Sequence, residues 1–193
     1  MGWEEFYLNP GGSDQHLFSM TSLQFPIGKF EKKAAFTAAG RAEAIEVIAA
    51  TPGNLRAAIH GLSPSQLDTP YRPEGWTVRQ VVHHVPDSHL NAYIRTKLAL
   101  TESEPTIKPY KEDLWAKLED SRSTPIEVSL SLLDAVHTRW VLLLRSLAPG
   151  DFPRAFRHPE MGPMDLDAQL QLYDWHGRHH VAHITSLRQR MGW

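Results

Sequence analysis

Eleven histidines and no cysteine stand in this chain of 193 residues. Imidazole is therefore the strong nitrogen donor available for a transition metal, and disulfides, thiolate metal sites, iron–sulfur clusters and cysteine nucleophiles are excluded. Two groups concentrate the rings: His83, His84 and His89, then His176, His179, His180 and His183. On a helical wheel of about 100° per residue, Leu166, Leu170, Tyr173, Ile184, Leu187 and Met191 define a buried arc. His180 falls inside it and His176 on its margin one turn earlier, whereas His183 lies further out and His179 further still. His176 and His180 thus form an i, i+4 pair, about one turn apart on one face, a spacing that lets two side chains converge on one ion. Gly177 beside them removes a side chain and is expected to leave room.

In the first group, Val78, Val81, Val82 and Val85 mark the apolar arc. His84 lies at its edge, His89 falls within it, and His83 points nearly opposite, toward water. Three neutral imidazoles from two helices, with either His84 or His89 joining the pair, would leave positions open for water or substrate, as in a catalytic site. His137, alone on an apolar stripe, reads as a hydrogen-bonded core residue. His16, His60, His158 and His179 read as surface residues.

These rings need helices to carry them, and helical spacing dominates the chain. Ile45, Ile48, Pro52, Leu55, Ile59 and Leu62 form one stripe, which Pro52-Gly53 should kink or break. Ser63-Pro64 reads as a cap and first turn. A second helix is expected from Thr77 to about Leu100, bent at Pro86. Thr124-Pro125-Ile126-Glu127 has the pattern of a capping box and opens a third helix, with the stripe Leu130, Leu133, His137, Trp140, Leu144 and Leu147. Residues 149–163 form a loop with room for a short hairpin, and the last helix runs from about Asp167 to Gln189. The expectation is an all-α four-helix bundle over residues 23–193, with a long crossover loop after the second helix and inward side chains building the site. Residues 1–22 lack periodicity and read as a flexible tail.

Composition narrows the function. Hydrophobic residues make up 41% and charged residues 22%, as in ordinary globular domains. Lys and Arg number 20 against 22 Asp and Glu, so the basic surplus typical of nucleic-acid binding is absent. No apolar run is long enough for a membrane span and no secretory signal is visible, which, with the missing cysteines, points to the cytoplasm.

Two stretches resemble a known family. Thr69-Pro70-Tyr71-Arg72-Pro73-Glu74-Gly75-Trp76-Thr77-Val78-Arg79-Gln80-Val81-Val82-His83-His84-Val85, followed by Asp87-Ser88-His89, is similar to the YfiT branch of the DinB superfamily, as is Tyr173-Asp174-Trp175-His176-Gly177-Arg178-His179-His180-Val181-Ala182-His183-Ile184. The resemblance covers the chain from about Phe25 onward. It implies a DinB/YfiT-like four-helix bundle, often a homodimer, acting as a metal-dependent hydrolase on a small-molecule substrate. Its metal ligands carry over onto His84, His176 and His180, and one divalent ion is implied, zinc first and nickel second. Other branches use a low-molecular-weight thiol such as bacillithiol or mycothiol.

If the chain is a hydrolase, a metal-activated water is the expected nucleophile. An acid or base should assist, yet no His-Glu-x-x-His motif exists. His89 and His183 are the candidates, and Asp87 is another, either for that role or as a partner for a ligand imidazole. Thiol transfer through a metal-bound thiolate asks less of such groups and is the rival reading. A metal-binding stress protein without catalysis is the third. Arg95, near His84 on the wheel, could hold a substrate carboxylate, though a surface or structural ion pair is the expected role. Metal affinity should fall near pH 5–6, where free imidazole protonates.

Overall fold

Thr77 accepts the Gln80 N–H at 3.1 Å while the Gln80 side chain accepts the Thr77 N–H at 2.9 Å. This reciprocal cap satisfies two donors that a helix start leaves orphaned. It opens the helix that carries the first histidine group. A computed structural model describes residues 23–193 apart from residue 35; the tail expected over 1–22, with His16, lies outside the described residues. The elements in chain order are α1 (Ala38–Ile59), α2 (Pro64–Leu67), α3 (Val78–Thr101), α4 (Glu112–Trp115), α5 (Asp120–Ser123) and α6 (Ile126–Arg145). A 3₁₀ turn (Pro149–Asp151), β1 (Ala155–His158), β2 (Gly162–Asp165) and α7 (Leu166–Met191) follow.

The four long helices α1, α3, α6 and α7 form the bundle. Its main packing pairs are α3 with α6, α1 with α7, α1 with α6, and α3 with α7. Hence α1 lies diagonal to α3 and α6 diagonal to α7. Two of the three connections must therefore cross the bundle, which requires length. Residues 60–77 make the first crossing around α2, and residues 146–165 make the second through the antiparallel β1–β2 hairpin, with Phe156 opposite Met164. Residues 102–125, with α4 and α5, make the third long connection, so the expectation of a single long crossover undercounted them. No helix among the described residues is long and apolar enough to cross a membrane.

The core has two parts. Ile48, Trp140, Phe156, Leu166, Leu170 and Tyr173 fill one end. Leu55, Val78, Val81, Val82, Leu130, Leu133 and Ile184 fill the other.

Local signals held in part. Ser63 and Gln66 form a capping box, with Pro64 at the first helical position. By contrast, Thr124 does not cap α6. Its N–H ends α5 by donating to Asp120 O, and Pro125 becomes an N-cap with no side-chain bond. Both α1 and α3 run unbroken through Pro52 and Pro86. At Pro52 the missing N–H leaves the Ile48 carbonyl without its donor four residues on. His137 Nδ1, reaching across from α6, donates to that carbonyl at 2.8 Å. A tertiary bond replaces the helical one, and the expected break is absent.

Gly177 serves a different purpose from the one its neighbours suggested. A Cβ there would lie 2.7 Å from Thr51 Oγ1 and 3.0 Å from Thr51 Cγ2, so the space it leaves is taken by α1. Thr51 cannot turn aside freely, because its hydroxyl donates to Val47 O at 3.1 Å. Gly177→Ala should therefore destabilise the fold: overpacking costs about 1–3 kcal/mol, against about 1 kcal/mol gained in helix propensity. A urea midpoint equal to or above that of the wild type would contradict this close approach.

Candidate functional site

α3 and α7 pack side by side and turn three imidazoles toward one point. One ring nitrogen from each of His84, His176 and His180 lies within 4.8 Å of the others, and all three rings are buried. Ring centroids are 4.5 Å apart for His176 and His180, 4.8 Å for His84 and His180, and 5.5 Å for His84 and His176. The rings form the floor of a cavity of ≈ 350 Å³. Tyr71 and Trp76 supply aromatic wall, the Trp76 ring lying 4.6 Å from His84. Arg72 and Lys117 together with Glu74, Glu112 and Asp113 add charges of both signs.

The electrostatics favour neutral rings. Burial, reinforced by repulsion from His183, lowers the pKa of His84 to about 3. The same two causes, burial and neighbouring imidazoles, hold His176 and His180 well below the ordinary imidazole range. Ring protonation therefore begins below the pH 5–6 window expected from free imidazole. His180 Nδ1 is buried with no hydrogen-bond partner. A buried polar atom without a partner is costly, and a lone pair left over among neutral imidazoles suits a borderline divalent ion. The residues present thus fit a metal centre.

The whole chain can be set beside known proteins. A family model of the DinB superfamily matches residues 48–184. This chain belongs to the DinB superfamily. A protein of Bacillus mycoides (strain KBAB4), provisionally named a metal-dependent hydrolase, is 56% identical over 174 residues, which is 90% of this chain and all of that protein. A Bacillus cereus (strain AH820) protein with the same provisional name is 55% identical over the same shares. Among solved structures, YfiT from Bacillus subtilis superposes with a TM-score of 0.87 at 47% identity, covering 89% of this chain and 99% of that one. It is described, again provisionally, as a metal-dependent hydrolase with an unusual four-helix-bundle topology. A second four-helix-bundle protein, at 21% identity and a TM-score of 0.52, shares the fold alone.

The remaining histidines of this DinB superfamily member depart from the wheel. His83 is buried, with Nδ1 2.7 Å from Ser129 Oγ, because α6 covers the face expected to be wet. His179 is also buried, not a surface residue: it stacks on Trp175 at 4.3 Å and meets Phe25 at 5.9 Å. The lead-in segment around Phe25 folds back over that side of α7, which a single-helix wheel cannot know. His158 is buried in the hairpin, its Nδ1 accepting the N–H groups of Glu160 and Met161. His60 is exposed, as expected.

The three acid–base candidates occupy different places. His183 lines the cavity, stacks on Tyr71 at 3.9 Å, and lies 2.9 Å from Gln24 O. That carbonyl can only accept, so His183 Nε2 carries the proton and the buried Nδ1 keeps its lone pair. His89 lies behind His176, both its nitrogens engaged: Nδ1 with His137 Nε2 at 2.8 Å and Nε2 with His176 Nδ1 at 3.1 Å. Asp87, half-buried, is not part of the cavity lining; burial and then Asp120 push its carboxyl up to about 6. Arg95, expected in an ion pair, is buried with one terminal nitrogen lacking a hydrogen bond, and it pairs with no carboxylate among the described residues. Tyr71 and Trp76 were missed as cavity walls; they precede α3 in a loop, where no periodicity assigns a face.

Proposed function

We propose that this chain is a metal-dependent hydrolase acting on a small molecule, with one divalent transition ion held by His84, His176 and His180. The observation that carries this reading is the convergence of three neutral ring nitrogens at the floor of a cavity large enough for a metabolite. Zinc is the first choice and nickel the second, since imidazole suits both. Such an ion, when bound, supplies Lewis acidity that lowers the pKa of a coordinated water and polarises the scissile group. The chain's own residues do the rest. His84, His176 and His180, locked by burial, present lone pairs at no conformational cost during reaction. Tyr71 and Trp76 hold the apolar part of the substrate and exclude water.

His183 is the acid–base residue of this proposal. Its ring lines the cavity and its buried Nδ1 has no hydrogen-bond partner, whereas both nitrogens of His89 are occupied and Asp87 stands outside the cavity. Burial lowers His183 to about 4, partly offset by its bond to Gln24 O, so the ring is neutral at pH 7 and able to take a proton.

Zinc-loaded protein assayed against a panel of esters and amides should turn over at least one class, and chelation should abolish that rate. His183→Gln should keep its metal and lose roughly 10²–10⁴-fold in kcat. Parallel reactions with an electrophile and an added low-molecular-weight thiol decide the rival chemistry. Turnover seen only with thiol would replace hydrolysis by thiol transfer, and silence in every reaction would leave a metal-binding protein without catalysis.

A further inference from the structure

Pro52, His137 and His89 touch no part of the cavity, yet they form a continuous line that ends at His176. Pro52 has no N–H, which frees the Ile48 carbonyl. His137 Nδ1 lies 2.8 Å from that oxygen. His137 Nε2 lies 2.8 Å from His89 Nδ1, and His89 Nε2 lies 3.1 Å from His176 Nδ1. His89 and His137 are stacked at 4.9 Å and buried.

Proton counting along this line has one consistent solution for neutral rings. A carbonyl oxygen only accepts, so His137 must carry its proton on Nδ1. Its Nε2 then accepts from His89 Nδ1–H. His89 Nε2, left with a lone pair, accepts from His176 Nδ1–H. The lone pair of His176 is thereby forced onto Nε2. Ser88 Oγ, 3.4 Å from that nitrogen, is a hydroxyl able to donate to it. Reversing any ring would set two protons, or two lone pairs, against each other in a buried contact.

We propose that the proline-freed Ile48 carbonyl, His137 and His89 act as a relay of positioning residues that fixes the tautomer and aim of His176, presenting Nε2 as its ligand atom. The proposal rests on the metal-site reading above and extends it to residues outside the cavity. Ligand histidines ordinarily donate their second N–H to a carboxylate, a carbonyl or a water. Here the carbonyl acts at a distance, through two interposed imidazoles.

The test uses the full chain, ¹⁵N-labelled, with ring tautomers read by long-range proton–nitrogen correlation in the metal-free protein. Zinc affinity is measured separately by competition with a chromophoric chelator. Wild-type His176 should carry its proton on Nδ1. His137→Leu should let that tautomer exchange and weaken zinc binding by roughly 10–100-fold. His137→Gln can donate to Ile48 O and accept from His89, so it should keep the wild-type tautomer and affinity. Pro52→Ala leaves every ring in place but supplies a competing N–H to the Ile48 carbonyl, and should loosen the His176 tautomer as well. A wild-type His176 protonated on Nε2 would overturn the relay. So would loss of affinity in the Leu and Gln variants alike, in step with melting temperature, since that marks packing alone. If the wild type takes up no zinc, the proposed function fails, and the metal-free nitrogen spectrum still decides the relay.

Discussion

His176→Ala and His180→Ala should each purify without stoichiometric metal, whereas His179→Ala should retain it. The three residues share one helix, all are buried, and each loses a ring, so general damage to α7 would affect them alike. What differs is direction. His176 and His180 share the cluster with His84, while His179 turns toward Trp175 and Phe25. Zinc bound by four protein donors is worth about 10–16 kcal/mol, or about 3 kcal/mol per donor. Losing one of three donors should therefore cost upwards of about 100-fold in affinity. Elemental analysis of freshly purified variants reads the result directly. Equal metal loss in all three would refute the assignment of roles along this helix.

Acid should unfold the metal-free protein between about pH 6.5 and 4.5. His84 and His179 are lowered to about 3 and about 2, His137 and His183 to about 4, and His89, His176 and His180 fall well below the ordinary range, burial being the first cause for each. The unfolded chain binds these protons near pH 6.5 and the folded chain does not, so stability rises with pH through this window. Read downward, stability is intact above pH 6.5 and falls continuously toward pH 4. A buried ring lowered to about 4 removes up to about 3 kcal/mol by the time that pH is reached, and several rings act together. Asp87 works in the opposite sense, because its raised carboxyl binds a proton in the fold between about 6 and its ordinary value. Glu112, also raised by burial, acts in the same sense, and two carboxyls do not offset seven rings. Urea unfolding of chelated protein should show a midpoint that is level from pH 8 to 7 and collapses between 6.5 and 4.5. A level profile across the lower range would mean that the imidazoles are not buried as described.

The same burial explains why some of the site was legible in the sequence and some was not. An i, i+4 pair on an apolar stripe needs no tertiary knowledge: the helical period alone puts His176 and His180 one above the other. The first group was harder, because His84 and His89 both face inward on one helix. His84 meets the pair from α7, while His89 meets His176 from behind. A wheel gives angle about an axis but not which neighbour lies across from each turn. The stripes of α1 and α6 were equally readable, since they answer to helical period and to water.

The chain's own residues, taken in order, determined that there would be four amphipathic helices, that imidazole and not thiolate would be the strong donor on offer, and which pair of rings would stand together on one face. Only the packing of those helices decided that His83, His158 and His179 would be dry, that the room beside Gly177 belonged to Thr51, and that two prolines would leave their helices unbroken. Periodicity reports one helix against solvent, but burial and hydrogen bonding depend on what arrives from elsewhere in the chain. The Ile48 carbonyl, opened by one residue's missing proton and closed by a ring almost ninety positions away, shows the difference.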